Sequence, residues 1–198
     1  MTVCIGAICN WYPNSNAVII ASDRMITNGD IIQHEHDMSK IVIITERIFA
    51  MMAGNTLSAT TLIQKLVRRC QNSSNSVEEV VNIAKLLYSE VRSEQINEEI
   101  FRPRGITMEQ FYVGGLQSRF HPHIATSIDD QVMNFDYGVE LIIAGTDNDG
   151  AHLYTVGNPG TSSNCERMGY VAIGIGALHA TQSMIGFGHS AMHSMFER

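Results

Sequence analysis

Apolar residues come in short runs through the first third of the chain and at helical spacing through the second. Residues 2–9 are short and mostly apolar. Residues 17–22 form a near-continuous apolar run, the mark of a strand buried on both faces. Between them, Asn10-Trp11-Tyr12-Pro13-Asn14-Ser15-Asn16 is rich in turn formers. Residues 41–45 and 48–53 are two more apolar runs, separated only by Glu46 and Arg47, and so short a connection predicts an antiparallel hairpin. After Gly54-Asn55 the period changes. Ala59, Leu62, Ile63, Leu66, Val67 and Cys70 mark one face of a helix. Ser76-Val77-Glu78-Glu79 has capping-box form, with Ser76 as cap and Glu79 reaching back. Behind it, Val77, Val80, Val81, Ala84, Leu87, Tyr88 and Val91 continue an apolar stripe.

Periodicity fades over residues 101–137, which hold Arg102-Pro103-Arg104-Gly105, Gly114-Gly115 and His121-Pro122-His123. This stretch reads as an insertion with one short helix near residues 107–112. Strands resume at 139–145 and 151–156, flanking the turn Asp147-Asn148-Asp149-Gly150. Residues 169–175 are a further strand candidate. Residues 177–196 read as a helix, weakened by Gly186 and Gly188. Strands, two helices, strands and a helix, joined by hairpins, predict an α+β fold with antiparallel sheets. The 198 residues read as one domain.

Composition narrows the function classes. Hydrophobic residues make up 44% and charged residues 17%, which suits a globular chain. The net charge of −7 and only three lysines (Lys40, Lys65, Lys85) provide no basic face for nucleic acid. The four cysteines (Cys4, Cys9, Cys70, Cys165) show no C-x-x-C spacing and read as reduced thiols. Without an apolar run of about 18 residues or a basic leader, the expectation is a cytoplasmic protein without a membrane partner. His34-Glu35-His36-Asp37 reads as a solvated loop ahead of Lys40. His121/His123 and His189/His193 are chance pairs, so no metal site is expected. Gly188-His189-Ser190-Ala191-Met192 lacks the closing glycine of a nucleophile elbow.

The candidate chemistry begins at Thr2, directly behind Met1. With Met1 removed, one residue carries both a hydroxyl and a free α-amine. An α-amine titrates near 7.7–8.0 as a reference, so it can accept the proton of its own Oγ, directly or through one water. A lysine beside that amine favours its neutral form, and Lys40 is the candidate. A buried lysine needs an anion, which Asp23 could supply. Gly54, between a strand and a helix, offers an N–H suited to an oxyanion. Each residue also has an ordinary structural reading, and spacing alone does not bring them together.

Thr2-Val3-Cys4-Ile5-Gly6, Ala17-Val18-Ile19-Ile20-Ala21-Ser22-Asp23-Arg24, Ser39-Lys40-Ile41 and Phe49-Ala50-Met51-Met52-Ala53-Gly54 together resemble the proteasome β-subunit family of N-terminal-nucleophile hydrolases. Leu141-Ile142-Ile143-Ala144-Gly145, His152-Leu153-Tyr154 and Tyr170-Val171-Ala172-Ile173-Gly174-Ile175-Gly176 resemble that family's later strands. The Thr2-Val3-Cys4 start and Ala21-Ser22-Asp23 lean towards the bacterial ancestral β-subunit (Anbu) branch.

The resemblance implies a four-layer αββα sandwich of two antiparallel sheets. It implies a threonine-type endopeptidase with Thr2 as nucleophile and base, Lys40 beside the amine, Asp23 holding Lys40, and Gly54 donating to the oxyanion. Thr27 would bind an extended peptide, and Met52, with Ile26 and Met38, would line an apolar pocket. No cofactor is implied. Implied partners are unfolded polypeptide, other copies in a homo-oligomeric ring or helical stack, and an ATP-dependent unfoldase. Three departures stand out. Ile175 occupies a position where active members carry serine, the loop 10–16 is longer than usual, and a further helix and two strands of the pattern have no counterpart. Either the fold is incomplete at its C-terminal side or the second sheet closes differently. The alternatives are a catalytically silent ring or scaffold subunit and a small-amide hydrolase with the same nucleophile.

Overall fold

The computed structural model of the protein describes residues 2–12, 15–28, 32–35, 39–71 and 76–189. Two antiparallel sheets stack face to face, and helices cover them. The larger sheet runs β5 (Ile41–Thr45), β6 (Ile48–Gly54), β7 (Val139–Asp147), β8 (Gly150–Gly157) and β9 (Thr161–Asn164), in that order. The smaller has β1 (Cys4–Tyr12) at its centre, flanked by β10 (Tyr170–Ile173) and β2 (Ser15–Ser22). A separate two-stranded ribbon joins β3 (Met25–Asn28) to β4 (Ile32–Glu35). This is the α+β architecture of a sandwich.

The period-2 alternation of the central strands explains the layering. On β6, Ala50 and Met52 face helices α1 (Thr56–Cys70) and α2 (Val77–Ile96), whereas Met51 and Ala53 face the smaller sheet. On β7, Leu141 and Ile143 face the helices while Ile142 and Ala144 face the sheet. These strands are buried on both sides and read as continuous apolar runs for that reason. The sheets approach closely at Gly6, where an added Cβ would lie 2.6 Å from Leu153 Cδ1. A short helix, α5 (Ala177–Gly186), covers β10 and β1.

Several elements differ from the sequence expectation. Among the described residues β2 is the edge of its sheet, and Ile19 is 42% exposed, so they cover its apolar run on one face only. The supposed loop 10–16 is largely hairpin, since Asn10 pairs with Asn16 and Tyr12 with Ser15. Ser76 stands at the N-cap of α2 without a side-chain cap bond; the Val77 N–H instead donates to Asp147 Oδ2 at 3.0 Å. His34 and Glu35 lie on β4 rather than in a loop, while His36 and Asp37 fall outside the described residues. α5 ends at Gly186. The Gly188 N–H bonds the Ile185 carbonyl and the His189 N–H that of Met184, with Gly188 at φ +63°, a left-handed stop that only glycine adopts easily. The expected continuation over residues 190–196 falls outside the described residues.

The stretch expected as an insertion carries its own core. The capping box Thr107/Gln110 opens α3 (Met108–Tyr112), the short helix expected there. His121-Pro122 opens an unexpected α4 (Pro122–Met133), with proline in the first turn, where its missing N–H costs nothing. Ile96, Ile100, Phe101, Phe111, Ala125 and Ile128 bury one another there. Arg92 joins this lobe to the sandwich through the carbonyls of Phe135 and Val132 and the side chain of Asn158. Among the described residues, no helix is long and apolar enough to cross a membrane.

Candidate active site

The start of β1, the end of β2 and the start of β5 meet at one end of the inter-sheet layer. Cys4 pairs with Ser22 across the β1–β2 ladder, so Thr2-Val3 and Asp23 leave it side by side. Two bonds lock them: the Asp23 N–H donates to the Val3 carbonyl at 3.1 Å, and the Val3 N–H donates to Asp23 Oδ1 at 2.9 Å. Lys40 enters from the opposite sheet. Its carbonyl accepts the Met52 N–H at 3.1 Å, which fixes its backbone against β6.

The side chains then converge. Lys40 Nζ lies 2.7 Å from Asp23 Oδ1 and 3.4 Å from Thr2 Oγ1. The lysine side chain is 9% exposed and the aspartate 21% exposed. In such surroundings a charge stays only if it is paired and hydrogen-bonded. Asp23 provides both to Lys40 and is itself held by the Val3 amide. Three of the four candidate catalytic residues are thus brought together by side-chain contact.

Gly54 closes β6 at φ +96°, and a Cβ there would run into the Gly138 carbonyl oxygen. Both facts require glycine. It stands one residue ahead of the helix cap rather than inside α1. Asn55 is the cap, and its Oδ1 accepts the N–H groups of Leu57 and Ser58. The preceding residue, Ala53, lies beside the site: a Cβ built on Gly174 would be 3.2 Å from Ala53 Cβ and 2.7 Å from the Thr2 carbonyl oxygen. The end of β6 therefore borders Thr2.

The four candidate substrate contacts are more dispersed. Ile26 and Thr27 lie on β3, opposite His34 and Gln33 of β4, within a few residues of Asp23. Met38 falls outside the described residues. Met52 is 6% exposed and packs in the helix-side core, and its backbone serves the site through the Lys40 carbonyl and the Cys4 thiol.

Sequence reasoning named Cys4 and the turn Gly174-Ile175-Gly176 but not the contacts that tie them to the site. Cys4 is fully buried beneath the site, its Sγ 3.4 Å from the Met52 carbonyl oxygen. Burial pushes its thiol up to about 11, against the pull of the Lys40 ammonium and with a push from Asp23. It is thus a protonated thiol at neutral pH. In the turn, the Gly176 N–H donates to the Thr2 carbonyl at 2.8 Å. The signal was present as two glycines straight after an apolar strand. Among the described residues no group of three or more His, Cys, Asp or Glu could hold a metal ion.

The fold and this constellation define a class. The profile of the proteasome subunit family matches residues 13–129, more than half of the chain, and the chain belongs to that family. The matched span includes Asp23, Lys40 and Gly54. The protein is a proteasome-type subunit, and membership implies assembly with other subunits. No curated protein matches the chain.

Proposed function

We propose that the protein is an N-terminal threonine peptidase that cleaves peptide bonds inside a self-compartmentalised oligomer. After removal of Met1, Thr2 Oγ attacks the substrate carbonyl and the α-amine takes the Oγ proton. The oxyanion is stabilised by the Gly54 N–H, a contribution of about 2.7–4 kcal/mol for a donor of this kind. The amine then returns its proton to the leaving nitrogen as the C–N bond breaks, which leaves an ester on Thr2. Water, activated by the same amine, hydrolyses that ester and regenerates the hydroxyl. Lys40, neutralised by Asp23, keeps a cation beside the nucleophile, which favours the neutral amine and the developing alkoxide. Thr27 would hold an extended substrate, and Ile26, Met38 and Met52 would favour an apolar side chain before the cut. The Anbu-like branch, a single domain with residues 101–137 inserted, a homo-oligomeric ring or helical stack, and delivery by an ATP-driven unfoldase belong to the same proposal.

One observation carries the reading: Lys40 Nζ contacts both Thr2 Oγ1 and Asp23 Oδ1 in a largely buried cluster. Intact mass after treatment with a threonine-directed epoxyketone or boronate tests it. The expected result is a chain lacking Met1 that gains one adduct. Thr2→Ala should gain none, lose roughly 10³-fold or more in peptide turnover, and keep its melting temperature. Unchanged turnover in Thr2→Ala would exclude the mechanism. Comparing fluorogenic peptides with small amides tests the substrate class.

A catalytically silent subunit is the second reading. It is favoured by Ile175, 71% exposed in the turn that grips Thr2, where the resemblance leads one to expect a serine. That subunit would retain Met1 and form no adduct.

A further inference from the structure

We infer that Glu140 of β7 is a positioning residue for Thr2, acting through the glycine turn that follows β10. The inference rests on the peptidase reading for its kinetic consequence but not for its structural one.

The β1–β10 ladder ends at the pair Cys4 and Ile173. Beyond it, among the described residues, β1 has no ladder pair with Gly174, yet the turn must be fixed, because the Gly176 N–H holds the Thr2 carbonyl at 2.8 Å. The turn is pressed against Thr2. Gly174 sits at φ +90°, with no room for a Cβ beside the Thr2 carbonyl oxygen. Its C-terminal side is tied by the Ala177 N–H donating to the Gly174 carbonyl at 2.9 Å. Its N-terminal side is tied by Glu140, whose Oε2 accepts the Gly174 N–H at 3.1 Å.

Glu140 comes from the other sheet. It pairs with Ala53 and lies two residues before Ile142, so it stands on the face that meets the smaller sheet. It is an exposed carboxylate in the otherwise apolar run 139–145 of β7, at the rim of the sandwich. A carboxylate accepting a backbone N–H makes a charge-assisted bond, stronger than a neutral one. The bond therefore ties together the two sheets that supply the site: Lys40 and Gly54 from one, Thr2 and Asp23 from the other. Misplacing a nucleophile by about 1 Å can cost on the order of 10²-fold in rate. A tie that sets the relative position of these sheets at Thr2 controls that distance.

The test uses the full chain as wild type, Glu140→Ala and Glu140→Gln, the last keeping a carbonyl acceptor. Amide exchange of Gly174 and Gly176, read by NMR, is independent of activity. Glu140→Ala should speed it roughly tenfold and leave the Gly145 amide unchanged, while Glu140→Gln should recover most of the protection. On a fluorogenic peptide, Glu140→Ala should lower kcat about 10–100-fold with KM within about twofold, and Glu140→Gln should regain most of the rate. Unchanged exchange in Glu140→Ala, or a Glu140→Gln variant as unprotected as Glu140→Ala, would overturn the inference. Should wild type show neither turnover nor a Thr2 adduct, the peptidase reading fails alone, because the exchange data still decide the role of Glu140.

Discussion

The two ends of β7 are built from the same kind of material and do different work. At the Glu140 end, the cation is Lys40, held by Asp23 and touching Thr2. At the Asp147 end, it is His152 of β8, whose Nε2 lies 2.8 Å from Asp147 Oδ1 and whose Nδ1 lies 2.8 Å from Glu166 Oε1. Asp147 also accepts the Val77 and Asp149 N–H groups, so this cluster joins α2, the β7–β8 turn and the segment before β10. A lysine cation persists across the physiological pH range, whereas a histidine cation does not. The end that carries Thr2 uses the lysine. The end that only fastens a helix to a sheet uses the titrating histidine.

Replacing the permanent charge should have the largest effect. Lys40→Met leaves the Asp23 carboxylate largely buried without its cation and removes the contact to Thr2 Oγ1. Turnover should fall roughly 10³-fold, in the range of a lost electrostatic stabiliser, and stability by up to about 3 kcal/mol. Peptide hydrolysis together with thermal melting checks both. Retained turnover in Lys40→Met would break the distinction between the two ends.

The glycines at the two ends sharpen the same contrast. Gly54→Ala meets both an unfavourable φ of +96° and the Gly138 carbonyl, whereas Gly150→Ala, at φ +127°, meets open space. The first should cost about 3 kcal/mol or more and the second about 1 kcal/mol, read from urea midpoints. Equal costs would mean that the site end is no more tightly packed than the β7–β8 turn.

Much of this was legible in the chain because it is local. The runs 41–45 and 48–53 gave the β5–β6 hairpin, and the stripe from Ala59 to Cys70 gave α1, because burial imposes a period on the sequence. Thr2, Asp23, Lys40 and Gly54 were named from residue chemistry and from their resemblance to a family pattern. What escaped depends on distant partners. Ser76 looked like the cap of α2, but the Val77 N–H donates instead to Asp147, seventy residues away. Ile19 looked buried because an apolar run does not reveal that its strand lies at a sheet edge. The β3–β4 ribbon carries Thr27, Asn28, Gln33 and His34, too polar for an apolar-run criterion to find. Glu140 was not singled out at all, since its partner Gly174 lies thirty-four residues away in the turn after β10.

The smallest expected effect concerns the titrating end. Burial lowers the His152 pKa, but the hydrogen bonds to Glu166 and Asp147 and the attraction of both carboxylates outweigh it, so the value lies above the usual 6.5. Burial likewise raises Asp147, and the amides of Val77 and Asp149 with His152 more than reverse this, holding it below the usual 3.8. The signs follow by linkage. The histidine's contribution is fully present below pH 6.5 and is lost as pH rises through its raised value. The aspartate's is present above pH 3.8 and is lost as pH falls through its lowered value. His152→Gln should therefore destabilise the protein by about 1–2 kcal/mol near pH 6, and the gap to wild type should close as pH climbs above neutrality. Urea midpoints of both proteins from pH 5.5 to 9 measure it. A gap that stays constant over that range would mean that His152 holds the join as a neutral ring, and the contrast between a permanent and a titrating cation would fail.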